Sequence, residues 1–388
     1  MNANTENAYW MAIAHLSGLT TERTNQLLSV ILKEKGLLLS EYFTLSSSER
    51  QEIFPLQPKE AAAMDKVQED FPRLAFLAEQ LHNEGYRLIP INSPDFPAAL
   101  KSNLKVKSCP PLLYAKGKIE LLHGEAVAIV GSRKAGNAAL AFTDKVAAKC
   151  ASEGKVVVSG YAKGVDQQAM DSALAAGGKS IIVLPQGILT FQSGFKKHYE
   201  AIVNGKLLVI STFFPKAGWE VGLAMARNAY IYGQATEIYA AESDSKGGTW
   251  EGVMDGLKRQ RKIYVRQPLK GEKNANDRLI AMGAFAVDQE GNPVQSPTVY
   301  QKETVSNVEI LSEEKQEFQA GKTDMLHEVL RLLQSGPLTA KELILALKMP
   351  DWDVRKLGAA LKKNPQVRVV NGKPVKFARN DSILHLPV

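Results

Sequence analysis

The chain has few of the residues that build covalently closed or metal-stabilised sites. Of its 388 residues only two are cysteines, Cys109 and Cys150, and these lack the CxxC spacing of a metal-binding or redox motif. The six histidines are scattered, with no ligand spacing to one another or to the cysteines. We therefore expect no disulfide framework, no metal and no other bound cofactor, and the sparse cysteine favours a cytoplasmic protein.

Targeting segments and common catalytic motifs are also missing from the sequence. Residues 1–9 lack the basic-then-apolar pattern of a signal peptide, and no apolar run approaches membrane-spanning length. No GxSxG nucleophile elbow occurs. These absences predict a protein with no membrane partner and with no constellation for covalent catalysis.

Composition and charge then set the broad class of protein. Hydrophobic residues make up 45% and charged residues 23%, as in an ordinary globular protein, and the length suggests two or three domains. Lysine and arginine number 48 against 41 aspartates and glutamates, a net charge of +7. This excess favours a polyanionic partner such as nucleic acid, although a mildly basic protein without one has the same composition.

One strand-to-turn junction has the pattern of a phosphate site. The apolar run Val127 to Val130 is followed by Gly131-Ser132-Arg133, then by Gly136 and a predicted helix from Ala138 to Ser152. Such a junction aims helix amides, a hydroxyl and a guanidinium at phosphate oxygens. The middle glycine of the dinucleotide fingerprint, a Walker lysine and an acidic ribose partner are all absent, so the pattern indicates phosphate and not NAD or ATP.

Strands and helices alternate through the centre of the chain, which predicts a mostly parallel, Rossmann-like α/β sheet. The predicted strands are Val127 to Val130, Val156 to Ser159, Ser180 to Leu184, Leu207 to Ser211, Glu237 to Ala241 and Lys262 to Val265. Ligands bind such sheets beyond the carboxyl ends of the strands, where the turns of this chain are rich in glycine and polar residues.

These turns, in order, resemble the DprA/Smf family of DNA-processing proteins over about residues 85–285. The matching motifs are Gly131-Ser132-Arg133, the segment Ser159 to Asp166 (SGYAKGVD), Ala226-Arg227-Asn228, and Arg278-Leu279-Ile280 before Gly283-Ala284. Upstream, Phe96-Pro97 and Pro110-Pro111-Leu112-Leu113-Tyr114 also fit the family's entry into the domain. The resemblance implies single-stranded DNA binding without sequence preference, a homodimer, displacement of single-strand-binding protein and loading of a RecA-type recombinase.

The candidate DNA or phosphate contacts lie in the turns and on one helix. They are Gly131, Ser132, Arg133, Ser159, Gly160, Lys163, Gly164, Asp166, Arg227, Asn228, Lys246, Gly247 and Gly248. Single strands also need aromatic surfaces on which bases stack. Ala224-Met225 stands where the family carries a Phe-Pro pair, so stacking is expected from Tyr161, Trp219 or Tyr230, unless these belong to the core.

An enzymatic alternative comes from Lys246 to Glu251, which partly resembles the Gly-Gly-x-Gly-Thr-x-x-Glu loop of nucleotide phosphoribohydrolases. In that case Glu251 would assist cleavage of an N-glycosidic bond and Arg227 would hold the phosphate. The plainer interpretation is a helix start, with Thr249 as cap and Glu251 favoured by the helix dipole. A nucleotide sensor in phage defence or a toxin-antitoxin system is a third alternative for the same pocket.

The expected domains are a helical domain at 1–84, the Rossmann-like core at 85–288, a linker at 289–322 and a winged helix-turn-helix at 323–388. The helical domain's turn at Ser17 to Thr20 is either a helix-hairpin-helix contact or a simple corner, and no site is assigned to it. In the last domain, Thr339 is expected to cap a helix and Asn371-Gly372 to form the turn between two strands.

The last domain is also the most basic part of the chain. Residues 351–380 hold eight lysines and arginines against Asp351 and Asp353, which leaves a charge of +6. The expected duplex DNA contacts are Arg355, Lys356, Lys362, Lys363 and Lys373. A protein-binding module or a solvated basic face would have the same pattern, and these alternatives stay open.

Overall fold

A computed structural model describes residues 3–294, 329–347, 357–358, 361, 367–370 and 375–379. The chain divides into two compact units, Met1–Pro297 and Thr298–Val388. The first unit contains the helical segment, a large sheet and the helices that cover it. The second contains short helices and a two-stranded sheet.

The first unit opens with short helices whose starts follow from local sequence. They are α1 (Ala3–Ala14), α2 (Thr21–Ser29), a π-helical turn (Val30–Glu34), α3 (Leu39–Thr44), α4 (Ser47–Ile53), α5 (Pro58–Asp65) and α6 (Val67–Asn83). The Thr20 hydroxyl accepts a hydrogen bond from the Arg23 amide and caps α2, and Ser46 forms a capping box with Glu49 before α4. Helix α1 packs on α6, where the rings of Tyr9 and Phe71 stack with centroids 4.4 Å apart.

Nine strands form the sheet of this unit. They are β1 (Arg87–Pro90), β2 (Leu112–Gly117), β3 (Ala126–Val130), β4 (Val156–Ser159), β5 (Lys179–Val183), β6 (Leu207–Ser211), β7 (Glu237–Ala240), β8 (Lys262–Arg266) and β9 (Phe285–Val287). Their spatial order is β1-β2-β6-β5-β4-β3-β7-β8-β9. The seven neighbouring strands β6-β5-β4-β3-β7-β8-β9 are all parallel. Strand β2 pairs antiparallel with both β6 and β1. Because the order reverses at β3, the crevice between β3 and β7 is the topological switch point.

Helices cross between the strands and cover the sheet. They are α7 (Ala98–Ser108), α8 (Asn137–Ser152), α9 (Val165–Ala175), α10 (Gln192–Lys197), α11 (Tyr199–Val203), α12 (Val221–Gln234), α13 (Gly248–Lys258) and α14 (Asn276–Ala281). Short 3-10 turns lie at Ile119–His123 and Ile188–Thr190. The chain therefore alternates strand and helix through the centre of the sheet, as its sequence predicts.

The predicted α/β class and mostly parallel sheet are confirmed, and the six predicted strands lie within a residue of their observed bounds. Strands β3, β4 and β6 are buried at every position, which explains their continuous apolar sequence. Strands β2 and β9 are not among the predicted strands, and Leu112 to Tyr114 of β2 enter the sequence analysis only as part of the family resemblance.

The helices of residues 1–84 share a hydrophobic core with one face of the sheet. Buried residues of α1, α3 and α6 cluster with Leu112 and Tyr114 of β2 and with Leu207 and Val209 of β6. Separate clusters fill the opposite face and the region under α8 and α9. No helix in the described ranges is both long and apolar enough to cross a membrane.

In the second unit, residues 329–332 are helical and are followed by a 3-10 turn (Leu333–Ser335) and α15 (Ala340–Ala346). The predicted cap is confirmed: Thr339 and Glu342 form a capping box, with the Glu342 amide donating to Thr339 Oγ1 at 3.2 Å. Strands β10 (Val367–Val370) and β11 (Lys376–Arg379) pair antiparallel. They flank Asn371-Gly372, which lies outside the described residues, as does most of the predicted linker at 289–322.

Candidate nucleic-acid interface

The turn after β3 is held in place by hydrogen bonds within the turn and to Glu242, which follows β7. The Ser132 amide donates to the carbonyl oxygen of Glu242 at 2.9 Å, and the Ser132 hydroxyl accepts from the Lys134 amide at 3.1 Å. Gly131 has no room for a side chain, because an added Cβ would lie 2.5 Å from Cγ2 of Val165. Arg133 is exposed and extends from this ordered turn toward solvent.

A carboxylate of the chain itself lies beside the start of the helix that follows this turn. The Gly136 amide at the start of α8 donates to Oε2 of Glu242 at 3.2 Å, so a carboxylate of the chain itself already lies at this helix N-terminus. The prediction that this helix N-terminus faces a phosphate stays a prediction, because α8 itself begins one residue later, at Asn137. The missed residue, Glu242, follows a strand more than one hundred positions later, and only the sheet topology brings it here.

The turn after β4 packs directly on the turn after β3. Gly164 has a φ of +88°, and a Cβ there would lie 2.5 Å from the Ser132 carbonyl oxygen. The Val165 amide donates to that same oxygen. A glycine is needed at 164 both for this positive φ and for the close approach of the two turns. As a result, the exposed cations Arg133 and Lys163 are carried on two turns in backbone contact.

Arg227 lies beneath these turns, in a buried ion pair. Its Nη1 is 3.7 Å from Oδ2 of Asp166 and donates to the Val183 carbonyl at 3.3 Å. Gly160 makes room for the guanidinium, since an added Cβ there would lie 1.1 Å from Nη1. Both charged side chains are buried, so the pair is part of the floor of the site.

Burial dominates the ionisation of this pair. Loss of solvation raises the pKa of Asp166 above its ordinary value, against the opposing effects of Arg227 and of hydrogen bonds from the Gly160 and Ala162 amides. Burial likewise lowers the pKa of Arg227, although the Asp166 carboxylate opposes that change. The floor of the site thus holds two charges at a considerable desolvation cost.

Asn228, the next residue of α12, contacts the turn before α13. Its Nδ2 donates to the Gly248 carbonyl at 3.4 Å, and a Cβ on Gly248 would lie 2.9 Å from that nitrogen. Gly247 has a φ of +98° and precedes the helix, while Lys246 is exposed beside it. Arg227 and Asn228 therefore have different roles: the first lies in the floor and the second holds the α13 turn.

Three neighbouring cavities lie along the carboxyl ends of the parallel strands, and Arg133 lines all of them. The switch-point cavity, about 460 Å³, contains Gly131, Ser132, Asp166, Arg227, Asn228 and the residues 246–249. The second cavity, about 280 Å³, is lined by Gly160, Tyr161, Lys163 and Phe191 among others. The third, about 510 Å³, includes Lys134, Lys163 and Gly164. The predicted candidates are thus gathered at one edge of the sheet, with one exception.

Ser159 is that exception. Its hydroxyl is buried and donates to the Ile129 carbonyl at 2.8 Å, so it joins two strands and does not line any of the three cavities. Glu251, required by the phosphoribohydrolase alternative, is exposed and is likewise not among the residues that line these cavities. That alternative gains no support from this arrangement.

The three candidate stacking residues have different environments. Trp219 is 51% exposed and lines both the switch-point cavity and the second cavity. Tyr161 has a φ of +58°, uncommon for a residue with a side chain, and its hydroxyl lies 2.9 Å from Nε2 of His198. Tyr230 lines none of these cavities and packs near Phe213. Trp219 and Tyr161 therefore remain as candidate base contacts.

The basic residues predicted to contact duplex DNA cannot be placed in this way. Arg355, Lys356, Lys362, Lys363 and Lys373 lie outside the described residues.

The fold and this edge define a Rossmann-like protein with basic turns around the carboxyl ends of its parallel strands. The family model described as DNA recombination-mediator protein A matches residues 87–296, more than half of the chain. The chain belongs to that family.

Individual relatives agree with this assignment. DNA processing protein DprA of Bacillus subtilis is 26% identical over 256 residues, which cover 64% of this chain and 82% of that protein. DNA processing protein DprA of Streptococcus pneumoniae is 32% identical over 185 residues, 47% of this chain and 65% of that protein. The X-ray structure of the S. pneumoniae protein covers 74% of this chain and 95% of its own, with a TM-score of 0.56 at 24% identity, which shows a shared fold.

Proposed function

We propose that this protein binds single-stranded DNA along the edge formed by the turns after β3 and β4, and that it acts as a DNA-processing protein in transformation or recombination. The observation that carries the proposal is the backbone contact between the two turns that bear Arg133 and Lys163. Two cations fixed in this way suit consecutive phosphates of a flexible strand.

The second and third cavities support a continuous path for such a strand. Both are lined by Arg133 and Lys163, and the second also has the half-buried ring of Tyr161 and the exposed ring of Trp219. Cations that follow the backbone together with aromatic faces that accept bases are the features of sequence-tolerant single-strand binding. The path thus has both kinds of contact.

Arg227 has a different role in this proposal. Because its guanidinium is buried and paired with Asp166, it shapes the floor on which the two turns rest, and the exposed cations make the phosphate contacts. Its substitution should therefore lower both stability and DNA affinity, whereas loss of Arg133 should lower affinity alone.

The proposed partners of the protein rest on its family resemblance. We propose that it forms a homodimer, displaces single-strand-binding protein and loads a RecA-type recombinase on the bound strand. Sedimentation of the full chain tests the dimer, and strand exchange on DNA precoated with single-strand-binding protein tests the loading. A monomer at micromolar concentration, or no stimulation of the recombinase, would contradict the corresponding part.

The direct test is fluorescence anisotropy with a labelled single-stranded oligonucleotide across a salt series. Arg133→Ala and Lys163→Ala should each weaken binding roughly tenfold and reduce the salt slope by about 0.7, as expected for one lost phosphate contact. Lys258→Ala is the matched control, since it removes an exposed cation from the far end of α13. Equal affinity for all three variants and the wild type would contradict the proposal.

The C-terminal unit can be tested by the same assay on duplex DNA. We propose that it is a winged helix-turn-helix whose basic residues contact DNA phosphates, supported by the capped helix α15 and the antiparallel strands β10 and β11. A chain that ends at residue 322 should bind duplex more weakly and with a shallower salt slope. If affinity and slope are unchanged, the unit has another role, such as binding a protein.

A further inference from the structure

Tyr161 combines an unusual backbone conformation with a half-buried ring at the second cavity. Its φ of +58° lies in the left-handed region, which residues with a Cβ seldom adopt. It follows Gly160, which leaves room for the Arg227 guanidinium, and it lies two residues before the exposed Lys163. Such a conformation persists only where the surrounding contacts hold it. The contacts of the Tyr161 ring therefore decide where this ring lies.

His198 makes the polar contact of this ring. Its Nε2 lies 2.9 Å from the Tyr161 hydroxyl, and the two rings are nearly perpendicular, at 88°, with centroids 5.3 Å apart. The Phe191 ring meets Tyr161 in the same way, at 89° and 5.3 Å. Tyr161 is thus held by a hydrogen bond at its hydroxyl and by edge contacts with two other rings.

The two rings that hold Tyr161 are themselves fixed in the core. His198 is 8% exposed and lies at the junction of α10 and α11. Its amide donates to the Gly194 carbonyl at 3.0 Å, and its carbonyl accepts from the Ile202 amide at 3.1 Å. Gly194 also leaves room for Phe191, since an added Cβ there would lie 2.1 Å from Cζ of that ring. The support of Tyr161 is therefore rigid.

The His198 imidazole acts as a hydrogen-bonding group and not as a cation. Burial lowers its pKa below the ordinary value of 6.5, and the neighbouring Lys197 lowers the pKa further, while Asp171 of α9 opposes both effects. The ring is therefore mostly neutral at pH 7, with one donor and one acceptor nitrogen. The Tyr161 hydroxyl can pair with either nitrogen.

We propose that His198 is a positioning residue for single-strand binding, because it holds the Tyr161 ring against which one base of the strand packs. Tyr161 lines the second cavity, whereas His198 lines none of the three cavities, so it acts through Tyr161 and does not touch the strand. A ring that is ordered before binding spares the complex the entropic cost of ordering it. This inference rests on the proposed function and separates a base contact from the phosphate contacts.

The test compares a labelled single strand with an abasic strand of the same length, which keeps the phosphates and lacks the bases. In fluorescence anisotropy at neutral pH, His198→Leu should weaken the normal strand about fivefold, as for one lost hydrogen bond. Affinity for the abasic strand and the salt slope should not change, because the phosphate contacts stay intact. His123→Leu, which removes an exposed histidine just before β3, is the matched control and should bind as the wild type does.

Two further variants distinguish the hydrogen bond from simple packing. His198→Gln places a neutral amide near the position of Nε2 and should restore affinity to within about twofold of the wild type. Tyr161→Phe keeps the ring but lacks the hydroxyl, so it should lose as much affinity as His198→Leu. The double variant Tyr161→Phe with His198→Leu should be no weaker than either single variant, since both remove the same interaction.

Three outcomes would refute the proposal. These are an unchanged affinity of His198→Leu for the normal strand, an equal loss on both strands, or a His198→Gln variant as weak as His198→Leu. If urea unfolding shows that His198→Leu does not fold, Tyr161→Phe decides, and its unchanged affinity refutes the proposal. A wild type that binds neither strand contradicts the proposed function itself. Binding that depends on Arg133 but not on His198 leaves that function standing and removes only this inference.

Discussion

The guanidinium of Arg227 occupies the space that a side chain at Gly160 would need. An added Cβ at 160 would lie 1.1 Å from Nη1, 2.1 Å from Cζ and 2.6 Å from Nη2 of Arg227. The glycine of the turn after β4 is therefore required by an arginine on α12, 67 positions later, and the Asp166 ion pair depends on both residues.

Gly160→Ala should destabilise the protein by about 3 kcal/mol, because the displaced guanidinium leaves the Asp166 carboxylate buried without its partner. Urea unfolding measures this as a lower midpoint at an unchanged m value. Gly222→Ala is the matched control. Gly222 lies on α12, the helix that carries Arg227, and has open space around it, so this substitution should be neutral or stabilising by up to about 1 kcal/mol. Equal midpoints for the two variants would show that Arg227 moves without cost.

Asp166→Asn should change how stability depends on pH. Burial raises the folded-state pKa of Asp166 above 3.8, so the folded chain holds this proton more tightly than the unfolded chain. The carboxyl's contribution to stability is then greatest below pH 3.8 and falls as pH rises through the folded pKa. As pH rises from 3.8 through the folded pKa, the wild type should lose stability relative to Asp166→Asn. A relative gain would mean that attraction to Arg227 outweighs burial.

His15 should give a pH dependence of the opposite sign. Burial lowers its pKa to about 4, and its Nε2 lies 2.9 Å from the Tyr114 hydroxyl. The unfolded chain takes up this proton near pH 6.5, so the contribution is fully present above 6.5 and is lost as pH falls toward 4. The loss should reach roughly 3 kcal/mol in urea unfolding. His15→Gln, which does not titrate, should lack this loss, and parallel curves for the two proteins would contradict the assignment.

Thr339→Ala should loosen α15 without unfolding the rest of the chain. Loss of the capping box with Glu342 costs about 1 kcal/mol, which corresponds to roughly fivefold faster local opening. Hydrogen exchange of the Leu343 amide, bonded to the Thr339 carbonyl at 3.0 Å, measures this in the full chain. Lys341→Ala, an exposed change on the same helix, should not accelerate the exchange.

The parallel sheet could be predicted because its strands are short apolar runs that end in glycine-rich turns. Strand β2 could not, since its partner β6 lies almost a hundred positions away and pairs with it antiparallel, outside the parallel repeat of strand and helix. The core that the N-terminal helices share with the sheet could not be predicted either. Apolar spacing in α6 indicates a buried face, but it does not show that this face packs in one cluster with β2 and β6.

In the site, the exposed cations Arg133 and Lys163 were found from their place after strands, and the structure brings them together. Sequence spacing could not distinguish them from Arg227, because burial and pairing with Asp166 arise only from folding. Glu242 was missed for a related reason. A glutamate after a strand is common, and its contact with the start of α8 depends on β7 lying next to β3.

The contact between Ser132 and Gly164 makes the two turns behave as one piece. Because the main chain sets the spacing of the attachment points of Arg133 and Lys163, a bound strand can adjust only through side-chain rotation. On the proposed function, this edge fixes the interval between the two phosphates that Arg133 and Lys163 contact. A strand whose backbone is stiffened or lengthened between those phosphates should then bind more weakly, whatever its charge or bases.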